Sequence, residues 1–205
     1  AVDCEWRPSS DVVSIMSVAT LDKVYILDIV QLSELDAEML SIAIVKLFSA
    51  RSPAKLVFAF KGDLRRLKVI SPEVAEALAA QSSVLDLQDA FTFMLGNKDE
   101  ASSSRRLVGL SRLCIKEFGH RLCKKMRTSD WDARPLTEEQ LQYAALDSHC
   151  LFLLAGDTQT FNANGTRNSS NAVIRLLPDF DSEEAGLCLS DAAEDYELEY
   201  CNICM

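Results

Sequence analysis

Asp3, Glu5, Asp63, Tyr143 and Asp147 have residue types and spacings that could do chemistry together. Asp3 and Glu5 stand two apart in Asp3-Cys4-Glu5-Trp6. In a strand, that spacing projects both carboxylates from one face. Tyr143 and Asp147 stand four apart, one turn along one face of a helix. Asp63 follows a strongly apolar run, which puts it at a strand's carboxyl end or in the first turn of a helix. Ligands in open α/β sheets gather at such strand ends. If the fold gathers these four carboxylates, they form an all-oxygen donor set suited to two hard divalent cations, Mg²⁺ or Mn²⁺. Asp147 is flanked by Ala144, Ala145 and Leu146, so its helix packs closely and its carboxylate needs a partner near the core. Each signal alone also has a plain reading: a solvated strand end, a helix cap, a helix-surface pair.

The elements that must position these residues can be read from periodicity. Residues 12–19 and 24–28 are rich in β-branched side chains and joined by a short polar turn, which predicts a hairpin. Residues 35–50 carry apolar side chains at the helical period. Residues 54–60 read as a buried strand entered at Pro53, followed by a short helix from Gly62-Asp63 through Leu67. Ser71-Pro72-Glu73 starts a helix with a cap and a proline at its first position. Residues 84–86 read as a strand leading into a helix that ends near Leu95, and residues 96–106 as a polar loop. A further helix over 110–118 stops at Gly119. Thr137 with Gln140 has capping-box spacing and opens the last helix, to about Leu154. A hairpin followed by alternating strands and helices predicts an α/β fold, a mixed β-sheet flanked by α-helices.

These residues resemble a known family. Asp3-x-Glu5-Trp6, the Lys61-Gly62-Asp63-Leu64-Arg65-Arg66-Leu67 segment and Tyr143-x-x-x-Asp147 are similar to the three motifs of the DEDD-superfamily 3′–5′ exonucleases, in the tyrosine variant. The stretch from Ser129 to Asp147 is a specific match to the domain shared by ribonuclease D, the Werner-type exonuclease and the Nibbler-like RNA-trimming enzymes, and Val84–Gln88 and Gly109–Ser111 also fit. The resemblance covers about residues 1–156 and implies a ribonuclease H-like fold. It further implies that Asp3, Glu5 and Asp147 hold one cation, that Asp3 and Asp63 serve a second, and that Tyr143 orients the attacking water. A histidine subtype is not supported, because His149 follows Asp147 and His120 lies far upstream. The first strand keeps only Ala1-Val2 before Asp3, shorter than the family's. The expected activity is trimming of nucleic acid from its 3′ end, RNA before DNA, with release of nucleoside 5′-monophosphates. A Werner-like DNA exonuclease and a catalytically silent nucleic-acid-binding module are the alternatives.

A net charge of −10 speaks against a nucleic-acid partner until its distribution is read. From Asp157 onward ten acidic residues face only Arg167 and Arg175, so residues 1–156 carry −2, the candidate ligands included. Residues 157–205 are read as an acidic, flexible tail. Candidate nucleic-acid contacts are Trp6, as a stacking wall, and Lys61, Arg105, Arg106, Lys124 and Lys125, as phosphate contacts. Seven scattered cysteines predict reduced thiols and an intracellular setting, cytoplasmic or nuclear. Cys201 and Cys204 are half a zinc ribbon and are not expected to bind metal. No stretch is long and apolar enough to span a membrane. The missing initial Met points to an excised piece of a longer protein.

Overall fold

A computed structural model of the chain describes residues 1–51, 53–80, 83–94 and 107–156. Strands β1 (Val2–Glu5), β2 (Ile15–Ala19) and β3 (Val24–Asp28) form an antiparallel sheet in that order. β4 (Lys55–Val57) and β5 (Val84–Asp86) form a parallel pair, and β1 lies beside β4. The expected mixed sheet is therefore built as two ladders. β1, short as it is, pairs with β2 along its whole length, with Asp3 opposite Ser17 and Glu5 opposite Ile15. Ladder hydrogen bonds thus fix the backbone that carries both carboxylates.

The helices are α1 (Ile29–Ser49), α2 (Lys61–Leu67), α3 (Pro72–Ala80), α4 (Leu87–Met94), α5 (Leu110–Phe118) and α6 (Glu138–Ala155). Strand alternation sorts the sheet residues between two cores. Val2, Cys4, Met16 and Val57 pack with Ile29, Ile44 and Phe48 of α1 and with Val74 and Leu78 of α3. On the other face Leu56 packs with Leu113, Leu151 and Leu154 of α5 and α6, and Ile15 packs with Tyr143 and Ala144. Fully burying each such large apolar side chain contributes about 1.5–3 kcal/mol. Asp3 and Glu5 alternate with Val2 and Cys4, so they face α6.

Three boundaries differ from the sequence reading, each for a local reason. β2 starts at Ile15 rather than Val12, because Ser14 ends the ladder: its N–H donates to Glu5 O at 2.9 Å and its carbonyl accepts from Ile29 at 3.0 Å. Val13 is apolar because it is fully buried, not because it is in a strand. α1 starts at Ile29, capped by Asp28, which accepts from the Gln31 N–H at 3.1 Å. It kinks at Asp36, whose carboxylate accepts from Met39 N–H at 2.9 Å, and only the part beyond that second cap shows a clear period. β4 ends at Val57, because the chain turns through Ala59 at φ +54°.

α5 ends at Gly119, which takes φ +78°, and α6 opens on Thr137 with both capping-box bonds formed. The described cysteines, Cys4, Cys114, Cys123 and Cys150, are free. No helix among the described residues is long and apolar enough to cross a membrane.

Candidate active site

β1 and α6 bring Asp3, Glu5 and Asp147 together, with one carboxylate oxygen of each lying within 4.8 Å of the others. Glu5, Asp63 and Asp147 are buried, and Asp3 is partly so. Burial is the largest cause raising the Asp3 carboxyl well above its usual range, and the charges of Asp63 and Asp147 add to it. Burial followed by the Asp3 and Asp147 charges does the same to Glu5. Asp63 stands outside the tight trio, yet it is the carboxylate that most strongly perturbs Asp3. Burial pushes Asp63 up to about 7. Such a set of mutually repelling, all-oxygen donors fits a hard divalent cation.

Asp63 lies in the first turn of α2, and the loop before that helix sets where it begins. Ala59 and Phe60 donate their N–H groups to the two oxygens of Asp86, at 3.0 and 2.9 Å, and Gln88 N–H donates to the same carboxylate at 2.9 Å. Asp86, at the end of β5, thereby sets the turn from β4 into α2. The sequence gives one signal for it, a carboxylate at a strand end followed by a helix. Asp86→Ala leaves those N–H groups without their acceptor and is expected to destabilise the protein by about 2–3 kcal/mol. An unchanged urea midpoint would mean that the loop is held by other contacts.

Tyr143 is buried against Trp131, with ring centroids 5.9 Å apart. Burial raises the Asp147 carboxyl above its usual range, and Lys124 and then the Tyr143 hydroxyl offset part of that rise. Burial first, and then the Asp147 charge, raise the Tyr143 phenol, so it stays protonated. Lys124 donates to both oxygens of Asp147, at 2.8 and 3.1 Å, and its ammonium lies 5.3 Å from the Tyr143 ring centroid. A cleft of about 180 Å³ lined by Met126, Gln142, Tyr143, Leu146 and Asp147 opens beside these groups.

The loop before α6 is locked to the sheet by Arg134. Its guanidinium forks onto Asp28, with Nη2 to Oδ1 at 2.6 Å and Nε to Oδ2, and also donates to Trp131 O at 2.8 Å. Ser14 Oγ donates to Asp132 at 2.6 Å, a second tie from the same loop.

Residues 1–159 match the 3′–5′ exonuclease family. The chain belongs to that family.

The mut-7 exonuclease homolog of Aedes aegypti is 35% identical over 167 residues, covering 74% of this chain and 22% of that protein. The chain therefore spans about a fifth of the length of this curated relative. The crystal structure of the Aedes aegypti Nibbler EXO domain superposes with a TM-score of 0.60 at 28% identity, covering 73% of this chain and 72% of that one. Trypanosoma brucei RNase D in complex with RNA U12 gives a TM-score of 0.55 at 25% identity, covering 75% of this chain and 52% of that one. The architecture is the ribonuclease H-like α/β fold of these exonuclease domains.

Within this exonuclease domain the expected nucleic-acid contacts are placed unevenly. Trp6 is half-buried, and the Arg66 guanidinium covers its ring at 4.1 Å. Arg66 also donates to Gly62 O at 3.3 Å and Ser10 O at 3.2 Å, which ties the segment after β1 to α2. Lys61 is exposed at the start of α2. Lys125 is exposed with its ammonium 3.9 Å from Glu139, whereas Lys124 turns inward onto Asp147. Arg105, Arg106, Cys201 and Cys204 lie outside the described residues, as does the segment 157–205.

Proposed function

We propose that residues 1–156 form a metal-dependent 3′–5′ exonuclease domain that trims single-stranded RNA from its 3′ end and releases nucleoside 5′-monophosphates, with the acidic segment 157–205 outside it. The observation that carries this reading is the meeting of Asp3, Glu5 and Asp147 within 4.8 Å, with Asp63 and Tyr143 alongside. Asp3, Glu5 and Asp147 would hold one Mg²⁺ or Mn²⁺, and Asp3 with Asp63 a second. Such ions supply Lewis acidity at the attacking and the leaving oxygen of an in-line displacement at phosphorus.

The chain's own groups do the rest. Water adds to the terminal phosphorus, the bond from phosphorus to the 3′ oxygen breaks, and the shortened strand keeps a 3′ hydroxyl. Tyr143 is held protonated by its surroundings, so it orients the water through a hydrogen bond and does not take its proton. Four carboxylates with two divalent ions are neutral, and Lys124 adds one positive charge beside a phosphodiester that carries one negative charge. The free thiols of the described cysteines support an intracellular setting, cytoplasmic or nuclear. RNA is favoured over DNA because the RNase D relative binds RNA.

The test is trimming of 5′-labelled RNA and DNA strands of one sequence, with Mg²⁺, with Mn²⁺ and with chelator. The expected result is a ladder that shortens from the 3′ end, faster on RNA and absent with chelator. Cleavage that survives chelation would overturn the mechanism. Faster trimming of DNA would move the substrate to DNA. Retained RNA binding without cleavage would make the domain a binding module. Tyr143→Phe is expected to lower kcat about 100-fold while the Mn²⁺ affinity stays within about threefold. Calorimetric titration run beside the kinetics checks both, and a lost Mn²⁺ affinity would make the tyrosine a structural support instead.

A further inference from the structure

We propose that Lys124 is the resident cation of the carboxylate cluster: it occupies Asp147 in the ion-free chain and competes with a divalent ion for that carboxylate, and so sets the affinity of the site for metal. The proposal rests on the metal-site reading above and assigns Lys124 a part in loading that site.

The geometry is specific to this side chain. Lys124 Nζ reaches both oxygens of Asp147, at 2.8 and 3.1 Å, where a surface lysine tracking phosphates would extend into solvent. Its neighbour Lys125 shows the contrast: that side chain is 72% exposed, and its ammonium stands 3.9 Å from Glu139. The Lys124 ammonium stands 5.3 Å from the Tyr143 ring centroid, an arrangement that favours a cation over the ring face. Its side chain keeps about a third of its exposure, 34%, against 9% for Asp147. The lysine is therefore the more exposed partner of the pair.

Lys124 also acts on more than Asp147. Burial raises Asp3, Glu5 and Asp147 alike, and the Lys124 charge opposes that rise at each of them, so it is felt by all the carboxylates of the trio. Buried carboxylates that meet without a counterion are strongly disfavoured, and one ammonium offsets part of that repulsion. A divalent ion entering the trio meets two obstacles from this lysine. One oxygen pair is already engaged, and a positive charge stands beside the incoming one. Both obstacles vanish when the ammonium is removed.

The test uses chelator-stripped protein titrated with Mn²⁺ in a calorimeter, for the wild-type chain, Lys124→Met and Lys124→Arg. Methionine keeps most of the apolar stem and removes the charge, while arginine keeps the charge. The expected result is Mn²⁺ binding about tenfold tighter for Lys124→Met and close to wild type for Lys124→Arg. The melting temperature of the ion-free Lys124→Met protein is expected to fall, and its rise on adding Mn²⁺ to exceed that of wild type. If Lys124→Met does not fold, Lys124→Gln makes the same comparison. Unchanged or weaker Mn²⁺ binding in the neutral variants, with wild type binding normally, overturns the proposal alone. A wild-type chain that binds no Mn²⁺ overturns the metal-site reading and the proposal together.

Discussion

Asp3→Asn is expected to lower hydrolysis by about 10³-fold or more while making the ion-free protein more stable. The two effects have one cause. Asp3, like Glu5, feels both Asp63 and Asp147, and among the described residues it has no salt-bridge partner of its own, unlike Asp147 with Lys124. An amide of the same shape removes its charge from that repulsion, and with it the donor shared by both proposed ions. The sign with pH follows from linkage. A carboxyl raised in the fold holds a proton that the unfolded chain releases, so its contribution is fully present below its unfolded value and is lost as pH rises through its folded one. For Asp63 that window runs from near 3.8 to about 7, and Asp3 and Glu5 shift in the same direction. The gain from Asp3→Asn is therefore absent near pH 4 and largest near pH 8, where the ion-free melting temperature is expected to rise by roughly 5 °C. In the wild-type protein Mg²⁺ works the opposite way, because binding requires ionised carboxylates and its stabilisation grows with pH. Melting curves at pH 5 and pH 8, with and without Mg²⁺, check each part. An ion-free Asp3→Asn protein no more stable than wild type at pH 8 would show that the carboxylates do not repel one another as described.

What could be read from the sequence was what short-range periodicity encodes. Asp3 and Glu5 share a strand face because side chains alternate, and Tyr143 and Asp147 share a helix face because they are one turn apart. The capping box at Thr137 and the glycine stop at Gly119 are local chemistry and could be placed to the residue. The early start of α1 was hidden, because Asp36 splits it into two separately capped pieces and the first has too few turns to show a period. The end of β4 was hidden for a different reason: the acceptor that turns the chain at Ala59 is Asp86, on another strand. The inward turn of Lys124 was equally invisible, since nothing in Cys123-Lys124-Lys125 tells which lysine faces the carboxylates. The pairing of Arg134 with Asp28 spans most of the domain's length and has no local signature at all. Residues that belong to the periodic elements could be found from the chain alone, while those that fix one element against another could not.

Trp131→Ala is expected to cost about 3–5 kcal/mol. Trp131 is fully buried and is the largest such side chain among the described residues. It packs with Ile15 and Ala144 and stands against the Tyr143 ring, so it joins β2 to the face of α6 that carries Asp147. Its removal opens a cavity between those elements, and Tyr143, losing its neighbour, no longer presents its hydroxyl at a fixed place. Trp131→Phe separates the two consequences. The indole Nε1 is buried without a hydrogen-bond partner among the described residues, so replacing it with a phenyl ring removes an unsatisfied donor along with some volume. The lost volume and the relieved donor act in opposite directions, and Trp131→Phe should cost only about 1 kcal/mol. The ring would still meet Tyr143, but from a smaller and displaced edge. Trimming by Trp131→Phe is therefore expected to fall about tenfold through kcat, with Mn²⁺ affinity held, even though the domain remains folded. Urea unfolding of both variants, with kinetics and Mn²⁺ titration of the phenylalanine form, decides the matter. A phenylalanine variant as unstable as the alanine one would mean that the indole nitrogen has a partner after all. A stable variant with full activity would mean that Tyr143 is positioned by Asp147 and Lys124 alone.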